Sequence, residues 1–137
     1  MKKKDPIEEA RRYVQNAEKA LNENGDLDPQ TYRYEDPKYV RAAGNYLWLG
    51  VLIALDAVFH VRNDRRTRVN INAYEEAVGK RDKKLLGWVT DGYQIMHLYM
   101  NYDGIQSKKT CDDGFRIANS IIDRCEVLIP SPSSPNS

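Results

Sequence analysis

Between Asp36-Pro37 and His60 the chain carries apolar residues on two adjacent helical stripes, and no other feature restricts its fold as strongly. Val40, Leu47, Val51, Ala54 and Val58 form one stripe; Trp48, Leu52, Leu55 and Phe59 form the second beside it. A helix apolar over so much of its circumference must sit at the centre of a group of helices. Gly50 and Ala54, four residues apart, leave room for a neighbouring backbone. The most apolar stretch, Tyr46 to Val61, is shorter than the roughly 20 residues of a membrane span and contains Asp56. The expectation is a buried helix and no membrane contact.

The flanking segments read as its packing partners. Asp5 is an N-cap, Pro6 takes the first helical position and Glu8 completes a capping box. Ile7, Ala10, Val14, Ala17 and Leu21 then recur at three- and four-residue steps. Asn24-Gly25 is expected to end this helix, with Gly25 in the left-handed conformation. Asp26 to Glu35 is a loop in which Tyr32 and Tyr34 would lie over the bundle as a lid. Asp36-Pro37 caps the central helix, which runs to about His60, and Val61 to Ile71 is a basic connector.

Asn72-Ala73-Tyr74-Glu75 reads as the capping box of a third helix that Gly79 breaks near Lys80-Arg81-Asp82. Beyond it, Leu85, Val89, Gly92, Met96 and Tyr99 mark a stripe, with Leu86, Tyr93 and Met100 alongside, and Asp103-Gly104 stops it. A last helix is expected to open at Thr110-Cys111-Asp112-Asp113, to bury Cys111, Phe115, Ala118, Ile122, Cys125 and Ile129, and to end at Pro130. No strand alternation is evident. The fold class is therefore all-α, an antiparallel four- to five-helix bundle over residues 1–129 with a disordered Ser/Pro tail over 130–137.

Antiparallel helices also decide which loops share an end. Lys2-Lys3-Lys4, the 61–71 connector and the C-terminus fall at one end, where Arg62, Arg65, Arg66 and Arg68 outnumber Asp64. The 25–35 and 104–110 loops fall at the other, with Asp26, Asp28, Glu35, Asp36, Asp103, Asp112 and Asp113. A net charge of +1 over 137 residues conceals this polarity and gives no general basic field for indiscriminate nucleic-acid binding. Met1 to Lys4 leads into Asp5-Pro6-Ile7-Glu8-Glu9 rather than an apolar core, so no signal peptide is expected. Cys111 and Cys125 lie about 21 Å apart along one helix, too far for a disulfide. They read as reduced, half-buried core residues of a cytoplasmic protein.

The run Tyr39 to Phe59, leading through Ala57-Val58-Phe59 into His60, resembles the central helix of HEPN-type helical bundles. Lys83-Lys84-Leu85-Leu86, Tyr93, His97-Leu98 and Tyr102-Asp103-Gly104 resemble a family of uncharacterised bacterial bundle proteins that looks related to HEPN. The likeness spans about residues 5–129. It implies a bundle that forms dimers and acts either as a ribonuclease or as a non-catalytic partner of a nucleotidyltransferase. The nuclease branch needs an Arg followed, after four to six intervening residues, by a His on one helix. The corresponding residues are Ile53, Ala54 and Leu55 before His60, and Thr90, Asp91 and Gly92 before His97. The nuclease motif is absent, and the interaction-module reading is what the resemblance leaves.

The residues themselves offer little chemistry to weigh against that. Asp56 and His60, one turn apart, fit an acid–base pair or half a metal site, but better a salt bridge near a helix C-terminus. A metal site needs three or four ligands, and no such cluster stands in the chain, so no metal and no cofactor are expected. Tyr93 and His97, one turn apart, either line a pocket with Tyr102 or bond within the core. Arg62, Arg65, Arg66 and Arg68 are the best binding group, since guanidiniums clamp phosphates or carboxylates with paired hydrogen bonds. Lys80, Arg81, Lys83 and Lys84 would extend that patch if the third helix folds back towards it. The expectation is a non-enzymatic, homodimeric interaction module with no catalytic residues, serving a protein partner such as a nucleotidyltransferase. The alternative is an RNA or nucleotide-phosphate binder that uses the Arg62–Arg68 connector.

Overall fold

A computed structural model describes residues 5–64 and 66–129. Lys2–Lys4, Arg65 and the Ser/Pro tail lie outside the described residues. The elements are α1 (Pro6–Asn24), β1 (Leu27–Asp28), β2 (Arg33–Tyr34), α2 (Pro37–Phe59), α3 (Ile71–Gly79), α4 (Lys83–Gly92), a π-helical segment (Tyr93–Tyr102) that continues α4 directly, and α5 (Lys108–Leu128). The all-α bundle expected from the stripes is what forms. Among the described residues the β structure is a short antiparallel ladder, Leu27 opposite Tyr34 and Asp28 opposite Arg33, inside the segment expected to be plain loop, and an isolated bridge from Arg33 to Ser107.

The caps show how local chemistry starts each helix. Asp5 and Asp36 accept from the backbone N–H groups of Ile7 and Lys38, with proline at the next position in both cases. Helix α3 starts two residues earlier than expected: Asn70, not Asn72, accepts from the amides of Asn72 and Ala73. Helix α5 likewise opens at Ser107, whose Oγ accepts from Thr110 N–H. Gly25 does not take the left-handed turn; Asp26 does, at φ 56°. Glycine is nevertheless required at position 25, because a Cβ there would stand 2.7 Å from the Leu21 carbonyl oxygen and 2.8 Å from the Tyr34 ring. Gly104, at φ +64°, supplies the left-handed turn after the π-helical segment.

Helix α2 is central, with twelve buried residues spread around it. It packs antiparallel to α1, where Gly50 lets the Ala10 carbonyl approach: a Cβ would lie 2.9 Å from that oxygen. It also packs antiparallel to the π-helical segment, with Gly44 against Met96, Met100 and Asn101, and Trp48 against Tyr93. Helix α5 returns along α4, so that Arg124 reaches back to Asp82 at 2.6 Å. By length and composition the 23 residues of α2 pass as a membrane span, but 61% of its most apolar window is buried among its neighbours.

The π-helical segment changes the expected stripe. Met100, not Tyr99, continues Leu85, Val89, Gly92 and Met96 into the core. Wider turns put buried positions four residues apart, so Gly92, Met96 and Met100 align. Met100 is held between two glycines: a Cβ on Gly44 would meet its Cβ at 2.6 Å, and one on Gly114 would meet its sulfur at 2.7 Å. In α5, Ile117 and Ile121 are buried while Phe115 is only half-buried. The two cysteines are fully buried rather than half-buried, and both are free thiols.

Candidate functional site

At the basic end, α2 stops at Phe59 and His60 turns left-handed at φ 54°, so the chain doubles back. That turn brings Arg62, not His60, onto Asp56. The Asp56 carboxylate accepts from the Arg62 backbone N–H and Nε–H, both at 3.1 Å, and from the Tyr74 hydroxyl at 2.7 Å. The Arg62 side chain is 7% exposed and that of Asp56 17%. Burial, then the facing carboxylate, push the Tyr74 phenol well above its usual range. His60 is exposed and only its backbone N–H reaches Asp56, through the carbonyl oxygen.

Arg62 is thus turned inward and forms part of the structure of its end. Arg66 and Arg68 are exposed, and Arg66 N–H caps onto the Asp64 carboxylate at 2.9 Å. The third helix does fold back here: the Arg81 guanidinium stacks 5.3 Å from the centroid of the Phe59 ring, beside His60. The exposed basic groups described at this end are therefore Arg66, Arg68 and the α3–α4 turn. A cleft of about 550 Å³ opens next to them, lined by Pro6, Ile53, Asp56, His60, Arg62 and Asn63.

Tyr93 and His97 do come together, and with Trp48 they form a three-ring cluster. Ring centroids lie 5.2 Å apart for Tyr93–His97, 5.7 Å for Trp48–Tyr93 and 6.0 Å for Trp48–His97. Tyr102 stays apart, 77% exposed. His97 Nδ1 is buried without a hydrogen-bond partner, and burial lowers the pKa of the ring, so it is neutral at physiological pH. Burial also pushes the Cys111 and Cys125 thiols up to about 12, which leaves them unreactive as nucleophiles.

Sequence reading missed two surfaces. One is a third stripe on α2: Tyr39, Ala42, Tyr46 and Leu49, all half-buried, recur at the three–four spacing of a helix–helix seam. With Asn16, Lys19 and Ala20 of α1 the first part of this stripe lines a shallow groove of about 370 Å³, and Tyr13 packs on Tyr46 at 6.3 Å. The signal was present in the spacing, but two stronger stripes on the same helix obscured it. The other is a cleft of about 670 Å³ at the acidic end, between α1, the hairpin and α5. Its walls come together because β2 is tied to the start of α5: Tyr34 N–H bonds the Gln106 carbonyl and Lys108 N–H bonds that of Tyr32, at 2.8 and 2.9 Å. Nothing in local spacing announces that pairing. Tyr34 does cover the core as expected of a lid, while Tyr32 is 63% exposed. Among the described residues no three His, Cys, Asp or Glu side chains converge to hold a metal ion.

A family model described as a domain of unknown function, DUF5618, matches residues 5–127. A solved structure described as a protein of unknown function from Dyadobacter fermentans is similar at 33% identity, with a TM-score of 0.81 over 91% of this chain and 96% of that one. No curated protein matches.

Proposed function

The chain belongs to the DUF5618 family, and from that premise we propose that it is a non-enzymatic interaction module that forms a homodimer through the outer face of α2. The seam of Tyr39, Ala42, Tyr46 and Leu49 carries this reading. Aromatic residues flank a small one in a shallow groove, which suits an approaching helix. Lys19 and Glu23 stand beside it, one of each sign. In a two-fold interface, Lys19 of one copy then faces Glu23 of the other, and the reverse. The polar residues of the core support a structural rather than a catalytic role, since Asp56, Arg62 and Tyr74 satisfy one another.

The reading extends the likeness of Tyr39–Phe59 to HEPN-type bundles, many of which are dimers and some of which serve a nucleotidyltransferase. It also places the protein in the cytoplasm, where two buried thiols remain reduced. Size-exclusion chromatography with light scattering tests it, together with Tyr46→Glu. The wild-type chain is expected to run as a dimer and the variant as a folded monomer. A wild-type chain that is strictly monomeric at micromolar concentration removes the proposal.

One observation favours a second reading, the binding of RNA or nucleotide phosphates at the basic end. Arg81 stacked over Phe59 adds a guanidinium at the same end of the bundle as Arg66 and Arg68, where Arg62 is turned inward. Binding by these groups would weaken steeply with salt. RNA affinity unchanged by Arg66→Ala, Arg68→Ala and Arg81→Ala together would dispose of it.

A further inference from the structure

The cleft at the acidic end combines an apolar floor with a negative rim, and we propose that it docks a basic amphipathic segment of a partner protein, one that carries Lys or Arg beside bulky aliphatic side chains. The floor is Leu21 and Tyr34, 3% and 7% exposed, with half-buried Leu27 and Phe115. The rim carries Glu18, Glu23, Asp26 and Asp112. Among the described residues Lys108 is the one cation lining the cleft, and Asp112 engages it at 2.7 Å. Among the described residues neither Glu18 nor Glu23 has a cationic partner.

Charge complementarity selects the occupant. An acidic segment meets repulsion at the rim, and an uncharged apolar one strips water from carboxylates without replacing it. A Lys or Arg side chain reaches the rim while its stem and its neighbours cover the floor. Asp28, Glu35, Asp36 and Asp103 lie at the same end of the bundle and extend the negative field that would draw such a segment in. At about 670 Å³ the cleft accommodates a few side chains of a peptide rather than a whole domain.

Glu23 also borders the α2 groove, so the double variant changes Glu18 and Asp26, which line the acidic cleft and not that groove. A short fluorescein-labelled peptide of Lys and Leu, and its counterpart with Glu in place of Lys, are titrated with the full chain by fluorescence anisotropy. The Lys peptide is expected to bind saturably and to weaken as salt is added, and the Glu peptide to fail to bind. Glu18→Gln with Asp26→Asn is expected to weaken binding by about fivefold. Phe115→Ser also weakens it, and Tyr46→Glu leaves it unchanged. Equal binding of the two peptides, or an undiminished affinity in the double variant, overturns the proposal. So does failure of the Lys peptide to bind while the double variant abolishes self-association, which would make a second copy the occupant.

Discussion

The same substitution, Gly→Ala, is expected to act in opposite directions at two helical positions of this bundle. At Gly44 an added Cβ would lie 2.6 Å from the Asn101 backbone nitrogen, 2.6 Å from Met100 Cβ and 2.7 Å from the Met96 carbonyl oxygen. These atoms belong to, or sit directly on, the backbone of the π-helical segment, so no side-chain rotation relieves the overlap. Overpacking of this kind costs about 1–3 kcal/mol, against a gain of about 1 kcal/mol in helix propensity. Three overlaps on backbone and Cβ atoms put the cost near the top of that range, about 3 kcal/mol, so Gly44→Ala is expected to destabilise by about 2 kcal/mol. At Gly87 nothing lies within 4 Å of the added Cβ, so Ala there gains the propensity alone, about 0.5–1 kcal/mol. Urea unfolding followed by far-UV circular dichroism, with equal slopes for all three proteins, measures both effects. Equal stabilities for Gly44→Ala and the wild type would refute the close approach of α2 to the π-helical segment.

Asp56→Ala leaves the Arg62 guanidinium unpaired at 7% exposure and is expected to cost about 3–5 kcal/mol. Tyr74→Phe, which keeps the ion pair, costs about 1.5–3 kcal/mol in the same unfolding assay. The Cys111 and Cys125 thiols have folded pKa values of about 12, above their ordinary value, so their contribution is complete below that value and is lost as pH rises towards 12. Stability then falls by up to about 1.4 kcal/mol per pH unit for each thiol, and Cys125→Ala removes that thiol's share of the alkaline slope. His97 is shifted in the opposite direction, so its contribution is held above the ordinary imidazole value and is lost as pH falls below it. His97→Phe removes both this acid sensitivity and the unpartnered Nδ1, and is expected to stabilise the chain by about 1 kcal/mol at mildly acidic pH.

The bundle was legible because helices must bury their stripes, and α2, with apolar residues on most of its surface, had only one place to go. Errors arose where local chemistry offered two answers. Asn70 and Asn72 are both good caps, and Ile71 between them shows no bias until it packs on the core. Ser107 and Thr110 posed the same choice for α5. The 3.6-residue period placed Tyr99 inside, whereas the wider π-helical turns bury Met100 instead. Asp56 was identified as a paired carboxylate, but helical spacing pointed to His60. Its true partner, Arg62, arrives only through the left-handed turn at His60. The acidic cleft was beyond local reading altogether, because it needs the hairpin to meet the start of α5 about seventy residues later in the chain.

Self-association through the outer stripe of α2 is tested most directly by the solution mass of the wild-type chain beside Tyr46→Glu and Leu49→Glu. Light scattering should give twice 15.8 kDa for the wild type and 15.8 kDa for both variants, with unchanged helical circular dichroism. A wild-type mass of 15.8 kDa at high micromolar concentration, or a dimer that survives both substitutions, would contradict the account.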